Sequence, residues 1–173
     1  MWALSHRGVE GVAVEPVAKR LGVTKGSFYW HFENRAELLG AALELWEKRD
    51  TTNVIALLND VADPRERLRL LFARVADAGR GAPLHAALSS AAEPGVKRML
   101  QRVAAARIEF LGQCYRELGL TPVVATRRAI LAYATYLGTM QIARDAPAVL
   151  ASESVRRAFA EHIVEALVPP HFP

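Results

Sequence analysis

A single cysteine, Cys114, is all the chain has, and one cysteine cannot close an internal disulfide. That excludes the small disulfide-stapled scaffolds and fits a reducing, cytoplasmic setting. Cys114 falls within an apolar stripe, which favours a small buried side chain over a redox-sensing thiol, since the latter needs exposure and a lowered pKa. Long apolar runs are also missing. The longest uncharged stretch, Ala129 to Ala143, would span only ~22 Å as a helix, short of a ~30 Å hydrocarbon core. It reads as a buried helix, and no membrane partner is expected. Met1 to Gly11 already holds His6, Arg7 and Glu10, so no signal peptide is expected there. The enzyme constellations are absent too: no HExxH, no glycine-rich phosphate loop, no nucleophile elbow, no paired metal spacing. None of the histidines His6, His31, His85, His162 and His171 stands four residues from another. The expectation is a protein that is not an enzyme and needs no cofactor or metal.

What the chain does have is enough apolar character to fold. Of its 173 residues 51% are hydrophobic, which suits one domain with a good core, or a small domain on a larger one. The net charge of +4 suits a polyanionic partner without demanding one. Arg127-Arg128 and Arg156-Arg157 lie far downstream and read as solvated helix faces.

The densest local signals lie in Val17–Leu39, VAKRLGVTKGSFYWHFENRAELL. Val17, Ala18 and Leu21 form a short helical face that stops at Gly22. Thr24 is placed to cap a second, short helix through the N–H of Ser27. Asn34 is placed to cap a third, with Glu37 as the reciprocal half of a capping box. Helix, tight turn, short helix, long helix is the layout of a helix-turn-helix DNA reader. On the short helix Phe28 and Phe32 share one face and can anchor it. Thr24, Lys25, Ser27, Tyr29 and His31 supply charge and hydrogen-bonding groups, Gly26 removes bulk, and Trp30 adds a second large ring. Lys19, Arg20, Lys25 and Arg35 stand against one acid, Glu33, between Val17 and Arg35.

Residues 8–43, GVEGVAVEPVAKRLGVTKGSFYWHFENRAELLGAAL, resemble the DNA-binding half of the TetR family of bacterial transcription regulators. They carry its glycine, its Val-Ala pair, Gly-Val-Thr, Tyr-x-His-Phe and Arg-x-Glu-Leu-Leu without gaps. The resemblance implies that Thr24, Lys25, Gly26, Ser27, Tyr29 and Trp30 meet bases and phosphates, and that His31 and Arg35 hold the phosphate backbone. Two positions depart from the pattern. Ala13 stands where a threonine is usual, removing a cap and a phosphate contact, and only Met1 to Arg7 precedes Gly8, so the first helix is short.

Downstream, helical spacing runs from Leu38 through Trp46 to Leu58, as one long helix or two nearly continuous ones, with a domain boundary near residue 50. The expected organisation is a helix-turn-helix domain over 1–50 and a helical effector-binding and dimerisation domain over 51–173. Asp63-Pro64, Glu93-Pro94, Thr121-Pro122 and Ser152 mark further helix starts, and no strand pattern appears. The class is all-α. Val155, Phe159 and Ile163 on the last helix, facing the smooth Ala134 and Gly138 of the one before, can form a four-helix dimer interface or pack within one subunit. The resemblance favours the dimer. It also implies an effector pocket in the body, for which Phe72, His85, Leu88, Met99 and Phe110 are candidates. Tyr115, Tyr133, Tyr136 and Met140 complete that set, which suits an apolar or aromatic small molecule.

The reading is therefore a homodimeric, cytoplasmic regulator, most simply a repressor, that binds a palindromic double-stranded DNA operator and is released by a small-molecule effector. The alternative is a small-molecule-binding helical dimer that has lost DNA reading and acts through protein contacts. The short first helix and Ala13 motivate it.

Overall fold

Each helix begins where the chain supplies a cap or a proline, and the computed structural model, which describes residues 2–76, 88 and 91–170, follows these signals closely. The described residues contain no strand. Their helices are α1 (Trp2–Arg7), α2 (Val14–Leu21), α3 (Lys25–Tyr29), α4 (Arg35–Glu47), α5 (Asn53–Asn59), α6 (Pro64–Ala76), α7 (Pro94–Glu117), α8 (Pro122–Asp145) and α9 (Glu153–Leu167). Asp63 Oδ1 accepts the Arg65 N–H at 2.9 Å, and Ser152 Oγ accepts that of Val155 at 3.2 Å. The expected continuity between Asn34 and Leu58 takes a specific form: α4 and α5 are joined through a π turn, Lys48–Thr52. One residue more per turn shifts the phase of the helix, which turns Thr51 inward, where it is buried.

Two buried clusters result. The first joins Leu4 of α1, Ala18 of α2, Phe28 of α3 and Leu43 and Trp46 of α4 to Val96, Met99 and Val103 in the first half of α7. It thus crosses the boundary expected near residue 50. The second gathers Leu58, Leu68, Phe72, Phe110, Leu111, Cys114 and Tyr115 with Ala125 and Ala129 of α8 and Ile163 and Leu167 of α9. α7 and α8 lie against each other, with small residues where Gly112 meets Ala129. A Cβ added at Gly112 would sit 3.9 Å from that of Ala129. Cys114 lies wholly inside, and burial pushes its thiol up to about 11, leaving no thiolate at neutral pH.

The C-terminal end of α9 is held from two sides. Tyr115, fully buried, donates its hydroxyl to the Leu167 carbonyl at 2.9 Å. Arg65, also buried, donates to the carbonyls of Pro169 and, at 3.1 Å, Pro170. Charged donors to carbonyls contribute about 1.5–3 kcal/mol each, and carbonyls left buried without them add a desolvation cost. Arg65→Met is expected to cost the body about 2–3 kcal/mol. That would appear as a lower urea midpoint at unchanged slope. An unchanged midpoint would mean that the tail is held without Arg65.

Candidate nucleic-acid interface

Local chemistry builds the approach to α3. Ala13, at the start of α2, has extended backbone and makes no side-chain cap, so the missing threonine is not replaced by a neighbour. α2 ends in a left-handed Gly22, φ 68°. The Gly22 N–H bonds the Lys19 carbonyl and the Val23 N–H that of Ala18, a paired closure that needs positive φ at its centre. One residue later Thr24 Oγ1 accepts the Ser27 N–H at 3.1 Å, and α3 begins. Asn34 Oδ1 accepts the Glu37 N–H at 3.0 Å. The Glu37 carboxylate reaches back to the Glu33 N–H at 2.6 Å, one residue beyond the Asn34 N–H expected for a capping box.

α3 is a helix of five residues, too short to hold itself, and one side chain fixes it. Phe28 is 4% exposed and packs on Phe32 with ring centroids 5.2 Å apart. Thr24, Lys25, Gly26, Ser27, Tyr29, Trp30 and His31 are all exposed. Trp30 reaches 84%, its ring edge-on to that of His31 at 5.1 Å. The arrangement is a short polar helix with two large rings at its end, standing clear of the core.

Lys25 and Arg35 are already partnered. Lys25 pairs with Glu15 of α2 on the open surface. Its hydrogen bond to Glu15 raises the ammonium pKa, and the same contact lowers that of the carboxylate. Exposed pairs of this kind are weak, so a phosphate can take Glu15's place. Arg35, which the resemblance gives to the phosphate backbone, also has partners within the subunit. Its guanidinium donates to the Val9 carbonyl at 2.8 Å and lies 3.6 Å from Glu93, at the start of α7. It ties three segments together and has less of its charge to spare. Sequence reading missed a further basic cluster: the guanidinium of Arg20 lies 4.0 Å and that of Arg7 5.4 Å from the Trp2 ring, which also stacks on His6. No periodicity announces such a cluster; it forms because α1 folds its Trp2 onto α2.

The candidates in the body separate. Leu88 and Met99 belong to the first cluster, Phe72, Phe110 and Tyr115 to the second. Tyr133 and Tyr136 lie half-buried at the edge of the second, stacked at 6.2 Å, and Met140 packs on Tyr136. His85 lies outside the described residues. Among the described candidates, Leu88 and Met99 thus lie apart from Phe72, Phe110 and Tyr115, and Tyr115 has its hydroxyl committed. Of the residues assigned to the dimer face, Ala134, Gly138 and Val155 are exposed. Ile163 instead faces its own subunit, 4% exposed, and Phe159 packs beside it, because α9 lies on α6 and takes its inward register from Ala160, Ile163 and Leu167. Among the described residues, no three His, Cys, Asp or Glu side chains gather as metal ligands. No helix among them is long and apolar enough to cross a membrane.

Known proteins share this fold. Residues 3–42 match the family model of bacterial regulatory proteins, tetR family. The HTH-type transcriptional regulator TtgR of Pseudomonas putida is 38% identical over 74 residues, 42% of this chain and 35% of that protein. The chain thus matches about a third of that relative's length. A TetR transcriptional regulator from Legionella pneumophila superposes with a TM-score of 0.74 at 13% identity, over 95% of this chain and 90% of that one. SmeT, solved as a complex with triclosan, superposes with a TM-score of 0.68 at 20% identity, over 99% of this chain and 94% of that one.

Proposed function

We propose that this chain, which belongs to the TetR family of bacterial regulatory proteins, acts as a homodimeric repressor that reads a palindromic operator with α3 and is released by a small molecule bound in its body. One observation carries the reading: every residue of the segment 24–31 except Phe28 is exposed. Lys25 and His31 take phosphates, and Thr24, Ser27, Tyr29 and Trp30 sit at the groove, where short hydroxyls and ring edges meet bases and thymine methyls. Arg35 contributes by holding α4 against the Val9 loop rather than by direct contact. The outward side of α8 pairs two copies, and two-fold symmetry makes the operator palindromic.

Release follows from differential affinity. An effector that favours the arrangement with its readers out of register lowers operator affinity by the ratio of its affinities for the two states. The complex of SmeT with triclosan supports a small, ring-bearing effector for the body here.

The test is operator binding over a salt series, using DNA flanking the chain's own gene. Lys25→Ala is expected to weaken binding and to flatten the slope of log K against log salt by about 0.9 per reader. Tyr29→Ala is expected to cost about 1–3 kcal/mol of discrimination against altered sites, with the salt slope kept. Unchanged affinity in both variants would take α3 out of the interface.

A further inference from the structure

Arg107, on the side of α7 that faces the π turn, has an unusual set of partners. Its Nε donates to Thr51 Oγ1 at 3.0 Å and its Nη2 to the Asp50 carbonyl at 2.9 Å. Its guanidinium carbon lies 5.7 Å from the Trp46 ring centroid and 5.4 Å from that of Tyr136. Every one of these partners is neutral. The carboxylates nearby are taken by other arginines, Asp50 by Arg49 at 3.0 Å and Glu47 by Arg102 at 2.7 Å. Among the described residues no carboxylate pairs with Arg107. A half-buried guanidinium with neutral acceptors keeps most of its charge unanswered, and an arriving anion forms shorter and stronger bonds with it than a hydroxyl or a carbonyl does.

The surroundings say what shape that anion has. Tyr136 stacks on Tyr133 with ring centroids 6.2 Å apart and planes 24° from parallel, and Met140 packs against Tyr136. Burial pushes the Tyr133 phenol up while Arg107 pulls it down, so the two groups share one field. Arg107, Tyr133 and Tyr136 are all only half-buried, which leaves the cluster within a ligand's reach.

We infer that Arg107, Tyr133 and Tyr136 form the recognition point for an aromatic anion, a carboxylate or phenolate whose charge meets the guanidinium and whose ring lies on the tyrosine pair. This deepens the effector reading above and, in its regulatory half, rests on it. The same donors that would take the anion hold the Asp50 carbonyl and the Thr51 hydroxyl of the π turn. A bound anion competes for them and loosens the turn that carries α4 into α5. The ligand's charge then acts on the one segment through which the reader is continuous with the body.

The test uses the full chain without DNA: 2-naphthoate and its neutral isostere 2-naphthamide, titrated by calorimetry and by tryptophan fluorescence, since Trp46 lies beside Arg107. The expected result is saturable binding of naphthoate, roughly tenfold or more tighter than the amide, with that preference lost in Arg107→Gln. Equal binding of acid and amide, no saturable binding of naphthoate, or an unchanged preference in Arg107→Gln would each overturn the site. Should Arg107→Gln fail to fold by circular dichroism, Tyr136→Leu decides. It is expected to weaken both ligands while keeping the preference for the acid, and undiminished binding would overturn the stacking platform. A second arm adds operator DNA. Arg107-dependent naphthoate binding that leaves DNA affinity unchanged would uphold the site and sink its regulatory role; absence of any sequence-dependent DNA binding would sink the operator reading alone.

Discussion

Phe28→Ala is expected to abolish sequence-dependent DNA binding while leaving the second cluster folded. Phe28 is the one buried side chain in the segment 25–31, and removing a buried phenylalanine costs about 3–5 kcal/mol. Against a typical domain stability of about 5–15 kcal/mol that is a large fraction, and a five-residue helix has no stability of its own to offset it. The loss stays local, because Phe28 sits in the cluster of α1 to α4 and the start of α7, whereas α6, α8 and α9 pack around Phe110 and Tyr115. Hydrogen exchange is the direct readout. Amides of Phe28 to Phe32 should lose protection while those of Phe110 to Glu117 keep theirs. Intact protection of α3, or intact operator affinity, would mean that the helix is held by something other than Phe28.

How far the sequence could have led to this picture depends on the range of each interaction. The caps at Thr24, Asn34, Asp63 and Ser152 act over three residues or fewer, and their chemistry is written in the same short windows that form them. So is the Gly22 closure. These signals located the helices to within a turn and placed the exposed face of α3. Interactions between distant segments left no such mark. Arg35 looks like any basic residue at a helix start, and only the approach of the Val9 loop and of Glu93 engages it. Ile163 belongs to an apolar stripe that is equally visible whether it faces a partner subunit or α6, and the packing of α9 decides in favour of α6. The π turn was hidden for another reason. A charged Glu47-Lys48-Arg49-Asp50 run suggests an exposed helix, and the extra residue shows only as the phase change that buries Thr51. For the same reason Arg107 was not singled out: its neutral partners come from α4, the π turn and α8.

Leu131→Glu is expected to convert the proposed dimer to monomers. α8 is apolar on both sides. Inward it presents Ala125, Ala129, Ala132 and Met140 to α7 and the core. Outward it exposes Val123 at 60%, Ile130 at 51% and Leu131 at 55%, with Ala134 and Gly138 along the same side. A helix that is apolar on both sides is normally covered on both, and nothing among the described residues covers this one. A second copy related by a two-fold axis would bring the same residues face to face. A glutamate there would be buried without a partner in both copies, which costs several kcal/mol per charge. Sedimentation should report the 19.0 kDa chain rather than twice that mass. Operator affinity should fall by about 10²–10⁴, the advantage of tethering two readers. Gly138→Ala separates packing from charge. Within one subunit a Cβ there meets nothing within 4 Å, and alanine favours the helix by about 0.5–1 kcal/mol. The variant should therefore be at least as stable as the parent while dimerising more weakly, since the added methyl keeps the two backbones apart. Undiminished dimerisation of Leu131→Glu would place the contact elsewhere, and α8 would then need another partner for its outward side.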